Sequence, residues 1–227
     1  MRNYSVFDIL GPIMIGPSSS HTAGAARLAK IAASIAGFNE IKEVKFLLHG
    51  SFAKTYRGHG TDRALVGGIL GMDPWDKGIR DSFQYAEEKG LKYEFVEADL
   101  GDVHPNTIKI VITKITGKVV EVTGSSIGGG NIKVFNIDGQ PVDFSGDYTT
   151  IIITHNDKPG MISKISTLLY KNDINIAFMN VFRNSRGLRA VMVCQVDALV
   201  PDSVITQMKE LEDVISIQHL KPLKEGE

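Results

Sequence analysis

The chain has 227 residues, enough for one large domain or two small ones. Hydrophobic residues make up 43% and charged residues 22%, an ordinary globular balance that excludes disordered and fibrous architectures. Lys and Arg number 25 against 26 Asp and Glu, a net charge of −1, so the excess of cations that a broad nucleic-acid footprint needs is missing.

The apolar stretch 6–15 is interrupted by Asp8 and by Gly11-Pro12, so it reads as neither a secretory signal nor a membrane span. Gly16-Pro17-Ser18-Ser19-Ser20-His21-Thr22 then runs straight into an Ala-rich segment, 22–37, where Leu28, Ile31 and Ile35 recur at helical spacing and Gly37 stands as a C-cap. Residues 44–49 read as a strand, 61–71 and 75–89 as helices, and 92–97, 107–115, 118–124 and 131–137 as strands. Asp138-Gly139 is a hairpin-type turn. A polar junction, Phe144-Ser145-Gly146-Asp147, places a domain boundary near residue 146. Beyond it, the β-branched run 148–153 is a strand, and Met161, Ile162, Ile165, Leu168 and Leu169 mark an amphipathic helix. Strands follow at 174–182 and 188–196, separated by a turn at 184–187. Pro201 opens a second helix with Val204, Ile205, Met208 and Leu211 on one face, and 214–220 is the last strand. The order strand, helix, strand, strand, helix, strand is the ferredoxin-like βαββαβ plan. The fold class expected is α+β, with domains at 1–146 and 147–227.

Segment 16–22 combines a flexible glycine, four hydroxyls and an imidazole at the start of a helix. Helix N-termini carry unpaired N–H groups and about half a positive charge, which suits an anion. Successive serines add hydrogen bonds to a carboxylate without adding charge; an ordinary N-cap would account for one hydroxyl only. In Gly58-His59-Gly60-Thr61-Asp62, two glycines allow a ligand to approach a histidine, the usual proton-transfer side chain near neutrality. Asp62 either orients His59 or starts the following helix. His104-Pro105-Asn106-Thr107 reads as a turn entering a strand. Ser125-Ser126-Ile127-Gly128-Gly129-Gly130-Asn131 lacks the strand-to-helix context and the Gly-Lys-Ser of a phosphate loop, which leaves a tight turn where backbone meets ligand.

A zinc site from His21, His49, His59 and Asp62 is disfavoured, because no metal-ligand spacing occurs and His49 falls in a strand-like run. The single cysteine, Cys194, cannot form an intramolecular disulfide or hold an iron–sulfur cluster alone, and reads as a small buried hydrophobe in an intracellular chain. His155, Asn156 and Asp157 sit at a strand-to-helix turn, with Pro159 placed in the first helical turn, Gly160 beside it and Asn175 at the next strand. These are turn and cap residues, or together they hold a small amino acid, with helix amides on its carboxylate and Asp157 on its ammonium.

The turn 155–160 with Asn175-Ile176-Ala177 resembles an ACT domain, a small-molecule-sensing module. Segments 16–22, 58–62 and 104–107 resemble the β subunit of the bacterial iron–sulfur L-serine dehydratases, over nearly the whole chain. That resemblance implies a two-chain enzyme converting L-serine to pyruvate and ammonia, with a [4Fe–4S] cluster held by the partner α subunit and no metal ligand on this chain. It implies that Ser18, Ser19, Ser20 and Thr22 bind the substrate carboxylate. His59 is the implied base or proton shuttle with Asp62 orienting it, and His21 is the alternative. His155, Asp157, Gly160 and Asn175 form the implied effector site, with L-serine the natural ligand and side-by-side pairing of ACT domains in a hetero-oligomer such as α2β2. The N-terminal region also resembles the allosteric substrate-binding domain of some phosphoglycerate dehydrogenases. This likeness keeps open a second reading, a non-catalytic amino-acid-sensing subunit of another enzyme. A cytoplasmic location is expected on either reading.

Overall fold

The computed structural model describes residues 13–183 and 187–223. Most of the expected 184–187 turn and the first part of the 6–15 stretch lie outside the described residues. The chain is mixed α+β and divides into two compact units, Met1–Gly139 and Gln140–Glu227.

The first unit contains α1 (Gly24–Ala36), β1 (Ile41–Leu48), α2 (Gly50–Thr55), α3 (Thr61–Ile69), α4 (Ser82–Glu88), β2 (Lys92–Glu97), β3 (Thr107–Lys114), β4 (Val119–Gly128) and β5 (Asn131–Ile137). Its sheet runs β2-β1-β3-β4-β5, with β1 and β2 parallel and the other pairs antiparallel. Alternation in β1 sorts the two faces. Val44, Phe46 and Leu48 are buried, while Lys45 on the other face pairs with Glu94 at 2.5 Å. Lys109 and Glu121 pair at 2.7 Å across β3 and β4. The alanines of α1 let it approach α3 closely. A Cβ on Gly68 of α3 would lie 2.3 Å from the Ala26 carbonyl oxygen and 2.8 Å from the Ala29 Cβ, so only glycine fits there.

Several boundaries differ from the sequence expectation. The 22–37 helix starts at Gly24 and is preceded by a π-helical turn, Ser19–Ala23. The 44–49 strand stops at Leu48, because His49 leaves the ladder to precede α2, a short helix the apolar spacing does not announce. The 75–89 helix is broken by a 3-10 turn, Lys77–Asp81, which Asp76 caps by accepting from the Gly78 amide at 2.7 Å. The 118–124 strand continues to Gly128, so Ser125 and Ser126 are strand residues. Asp138 and Gly139 both have positive φ, 51° and 77°, the type I′ geometry that Asp-Gly favours.

The second unit opens with β6 (Gln140–Phe144) and continues with β7 (Thr149–Asn156), α5 (Met161–Lys171), β8 (Ile176–Arg183), β9 (Arg189–Val196), α6 (Asp202–Lys209) and β10 (Val214–Leu220). The antiparallel sheet β10-β7-β9-β8 has the split βαβ order, and its core joins Ile151, Ile153 and Met192 of the sheet to Ile165 and Leu169 of α5 and Val204 and Met208 of α6. β7 extends to Asn156, which makes His155 and Asn156 strand residues. Gly160, at φ 92°, is the N-cap of α5, so Pro159 lies before the helix and not in its first turn. No helix among the described residues is long and apolar enough to cross a membrane.

Candidate active site

The site is built around the π-helical turn. Ser18 is extended (φ −144°, ψ 123°), and its Oγ accepts from the His21 amide at 3.2 Å while its carbonyl accepts from the Thr22 amide at 2.8 Å. Gly16 precedes the turn at φ 131°, and a Cβ there would meet Thr22 Cγ2 at 2.5 Å. This geometry sets the His21 ring between two hydroxyls, with Nδ1 3.3 Å from Ser18 Oγ and Nε2 3.0 Å from Ser51 Oγ. The ring meets Phe52 edge-on at 5.4 Å and His59 at 4.8 Å between centroids. Burial, and then the neighbouring His59, push the His21 imidazole below its ordinary pKa of 6.5, which favours the neutral form.

Ser51 is placed by α2, whose first turn is clamped onto Pro105. The Ser51 amide donates to the Pro105 carbonyl at 2.8 Å, and Gly50 adopts φ 56° where a Cβ would stand 2.7 Å from that same oxygen. Segment 104–107 is itself a tight turn. The Asn106 amide donates to His104 Nδ1 at 3.1 Å, and Thr107 Oγ1 donates to the His104 carbonyl at 2.6 Å. The Asn106 carbonyl accepts from the Ser126 amide at 3.0 Å, and Ser126 packs against Gly24, where a Cβ would lie 2.1 Å from its Oγ. Thr22 Oγ1 closes the circuit by donating to the His59 carbonyl at 3.1 Å. Segments 16–22 and 58–62 thus meet at one imidazole pair, while 104–107 buttresses Ser51 and Ser126 links Asn106 to Gly24.

Among the described residues, four buried polar atoms, His59 Nδ1, Thr61 Oγ1, Asn106 Oδ1 and Ser126 Oγ, have no hydrogen-bond partner. An unsatisfied buried polar atom costs roughly 1–3 kcal/mol, so a group of them calls for a polar occupant. Ser19 and Ser20 form the half-buried start of the turn. Asp62 accepts from the Arg63 amide at 2.8 Å, and its carboxyl is raised above its ordinary pKa chiefly by burial; His59 is brought against His21 and Thr22 instead. His49 Nδ1 accepts from the Leu100 amide at 3.1 Å and lies 3.6 Å from Asp99. Ser51 and Phe52 escaped the sequence reading. Their one signal is Gly50, two residues after the end of β1, which is weak without the Pro105 contact 55 residues further on.

The described residues contain no group of three or more His, Cys, Asp or Glu suited to a metal ion. Cys194 is buried in β9, where burial pushes its thiol up to about 12. With one cysteine in its sequence, the chain does not supply the three or four thiolates that an iron–sulfur cluster takes.

In the second unit the implied effector residues fall at two ends. His155 is buried, with Nδ1 2.7 Å from the Asn156 carbonyl and Nε2 unpartnered. Asp157 accepts from the Gly187 amide at 2.9 Å and from Arg183 Nη1 at 3.2 Å, and these hold its carboxyl below the ordinary range. Gly160 caps α5 beside them. Asn175 follows the other end of α5, donates to Asp197 at 2.5 Å and lines a cleft of about 400 Å³ with Ser166, Thr167 and Tyr170. In the β7–β9 and β8–β9 registers, Asn156 faces Arg189 and Ile176 faces Val196, a full strand apart.

The fold and the hydroxyl- and histidine-lined circuit define the class, a two-unit α+β protein with a candidate polar site in its first unit and a ferredoxin-like second unit. The serine dehydratase beta chain family matches residues 5–89 and the ACT domain family matches residues 149–213. The chain is 43% identical to the L-serine dehydratase beta chain of Peptoniphilus asaccharolyticus, over 97% of this chain and 100% of that one. It is 44% identical to the probable L-serine dehydratase beta chain of Bacillus subtilis strain 168, over 96% and 98%. A D-3-phosphoglycerate dehydrogenase of B. subtilis is 27% identical over 78% of this chain but only 34% of that enzyme. The chain belongs to the L-serine dehydratase beta-chain family.

Proposed function

We propose that this chain is the β subunit of a two-chain enzyme converting L-serine to pyruvate and ammonia, and that the circuit around the π-helical turn binds the amino acid and moves its α-proton. The observation that carries this reading is the set of buried polar atoms without partners among the described residues, His59 Nδ1 among them. The hydroxyls of Ser19 and Ser20, at the N-terminal end of the π-helical turn, suit the substrate carboxylate. Ser18 and Thr22 brace the two histidines, since their hydroxyls engage His21 and the His59 carbonyl. His59 is the proposed base, with its Nδ1 buried and without a partner among the described residues, and Asp62 favours the start of α3. The [4Fe–4S] cluster belongs to a partner α subunit, in keeping with a buried, protonated Cys194 here. A cytoplasmic location fits this assignment.

Losing a positioned general base typically costs about 10²–10⁴ in rate. His59→Ala in the assembled enzyme is expected to lose turnover on that scale with an unchanged circular-dichroism spectrum; activity within threefold of wild type would end the assignment. The second unit would supply control. Because Asp157 and Gly160 lie a strand length from Asn175, a site using all of them with His155 takes two ACT units side by side. Asn175→Ala is expected to alter the serine dependence of the rate more than its maximum. Superimposable serine curves for mutant and wild type would exclude an effector role.

A further inference from the structure

We propose that Ser51 is a positioning residue that, by accepting from Nε2, holds His21 in the tautomer set by Ser18 and keeps its own hydroxyl proton as a donor in the site. The inference concerns hydrogen-bond order within the circuit and rests on the proposed function only for what that donor serves.

A neutral imidazole carries one N–H and one bare nitrogen, so of the two hydroxyls flanking His21 one must donate and the other accept. Ser18 Oγ already accepts from the His21 amide at 3.2 Å. On this proposal its one proton goes to Nδ1, 3.3 Å away. With Nδ1 accepting, Nε2 carries the hydrogen and donates to Ser51 Oγ at 3.0 Å. The Ser51 O–H is then released from His21. The order runs Ser18 to His21 to Ser51, each bond polarising the next.

The frame holding Ser51 is rigid. Its amide and that of Phe52 both donate to the Pro105 carbonyl, at 2.8 and 3.4 Å, and its own carbonyl accepts from Thr55 Oγ1 at 2.8 Å. The hydroxyl is thus the free part of a residue whose backbone is fully engaged. Among the described residues, His59 is the titratable group whose charge bears on His21, which is also faced by Phe52 and the two serines.

The test is ¹⁵N-imidazole NMR on the full chain, wild type and Ser51→Ala, alongside the pH dependence of kcat/KM in the enzyme assembled with its partner. Wild type is expected to show His21 as the Nε2–H tautomer. Ser51→Ala removes the acceptor that an imidazolium would use most, so the His21 pKa should fall further and the tautomer mix. One such hydrogen bond is worth roughly tenfold, and kcat/KM should drop on that scale, with Ser51→Thr restoring it to within threefold. A wild-type Nδ1–H tautomer, or a His21 pKa that rises or stays put in folded Ser51→Ala, would overturn the proposal. Because the spectra are read on the chain alone, they remain decisive even if His59→Ala proves active.

Discussion

His21 illustrates how a residue is tuned by its placement. Burial is the larger cause and His59 the smaller, and both make protonation harder in the folded chain than in the unfolded one. His219 of β10 is lowered as well, chiefly by burial. Above the ordinary imidazole value of 6.5 these rings are neutral in both states and stability is fully present; as pH falls through 6.5 the unfolded chain takes up protons the folded chain refuses, and stability declines. Asp62 works in the opposite sense at lower pH, since its carboxyl is raised. The urea midpoint is therefore expected to be lower at pH 5.5 than at pH 7.5, and His21→Gln to flatten that dependence. A slope unchanged by His21→Gln would show that His21 does not contribute it.

At the scale of elements, what the sequence reveals tracks how locally each element is determined. The second unit is legible because β7 and β9 are β-branched runs and α5 carries its apolar residues on one face, all within short windows. α2 is not, because six residues cannot display a helical period and its start depends on Gly50 meeting Pro105. The end of β4 is hidden for a related reason. Ser125 and Ser126 look like loop residues until Thr107 and Asn106 supply partners across the sheet, with Ser125 Oγ 2.7 Å from Thr107 Oγ1. The candidate site divides in the same way. His21 and His59 stand out beside their glycines and serines, whereas Ser51 becomes meaningful only when its hydroxyl is seen on His21, 30 residues earlier. Asp62 looks from its spacing like a partner for His59, but the nearest amide, that of Arg63, takes its carboxylate.

For the whole molecule, two units with separate cores give a division of labour a substantial basis. One gathers imidazoles, hydroxyls and unpartnered buried atoms; the other presents a capped α5 turn at one end and the Asn175 cleft at the other. The first unit lacks any metal-binding cluster among its described residues, and the chain's one thiol is buried and protonated. On this account the chain alone binds its amino acid but turns nothing over. The most direct test is anaerobic pyruvate formation from L-serine, measured with this chain by itself and again after co-expression with a cysteine-bearing partner chain. Activity confined to the pair is the predicted result. A correctly folded, cluster-loaded pair that stays inactive while this chain still binds serine would contradict the account and make the circuit a sensor.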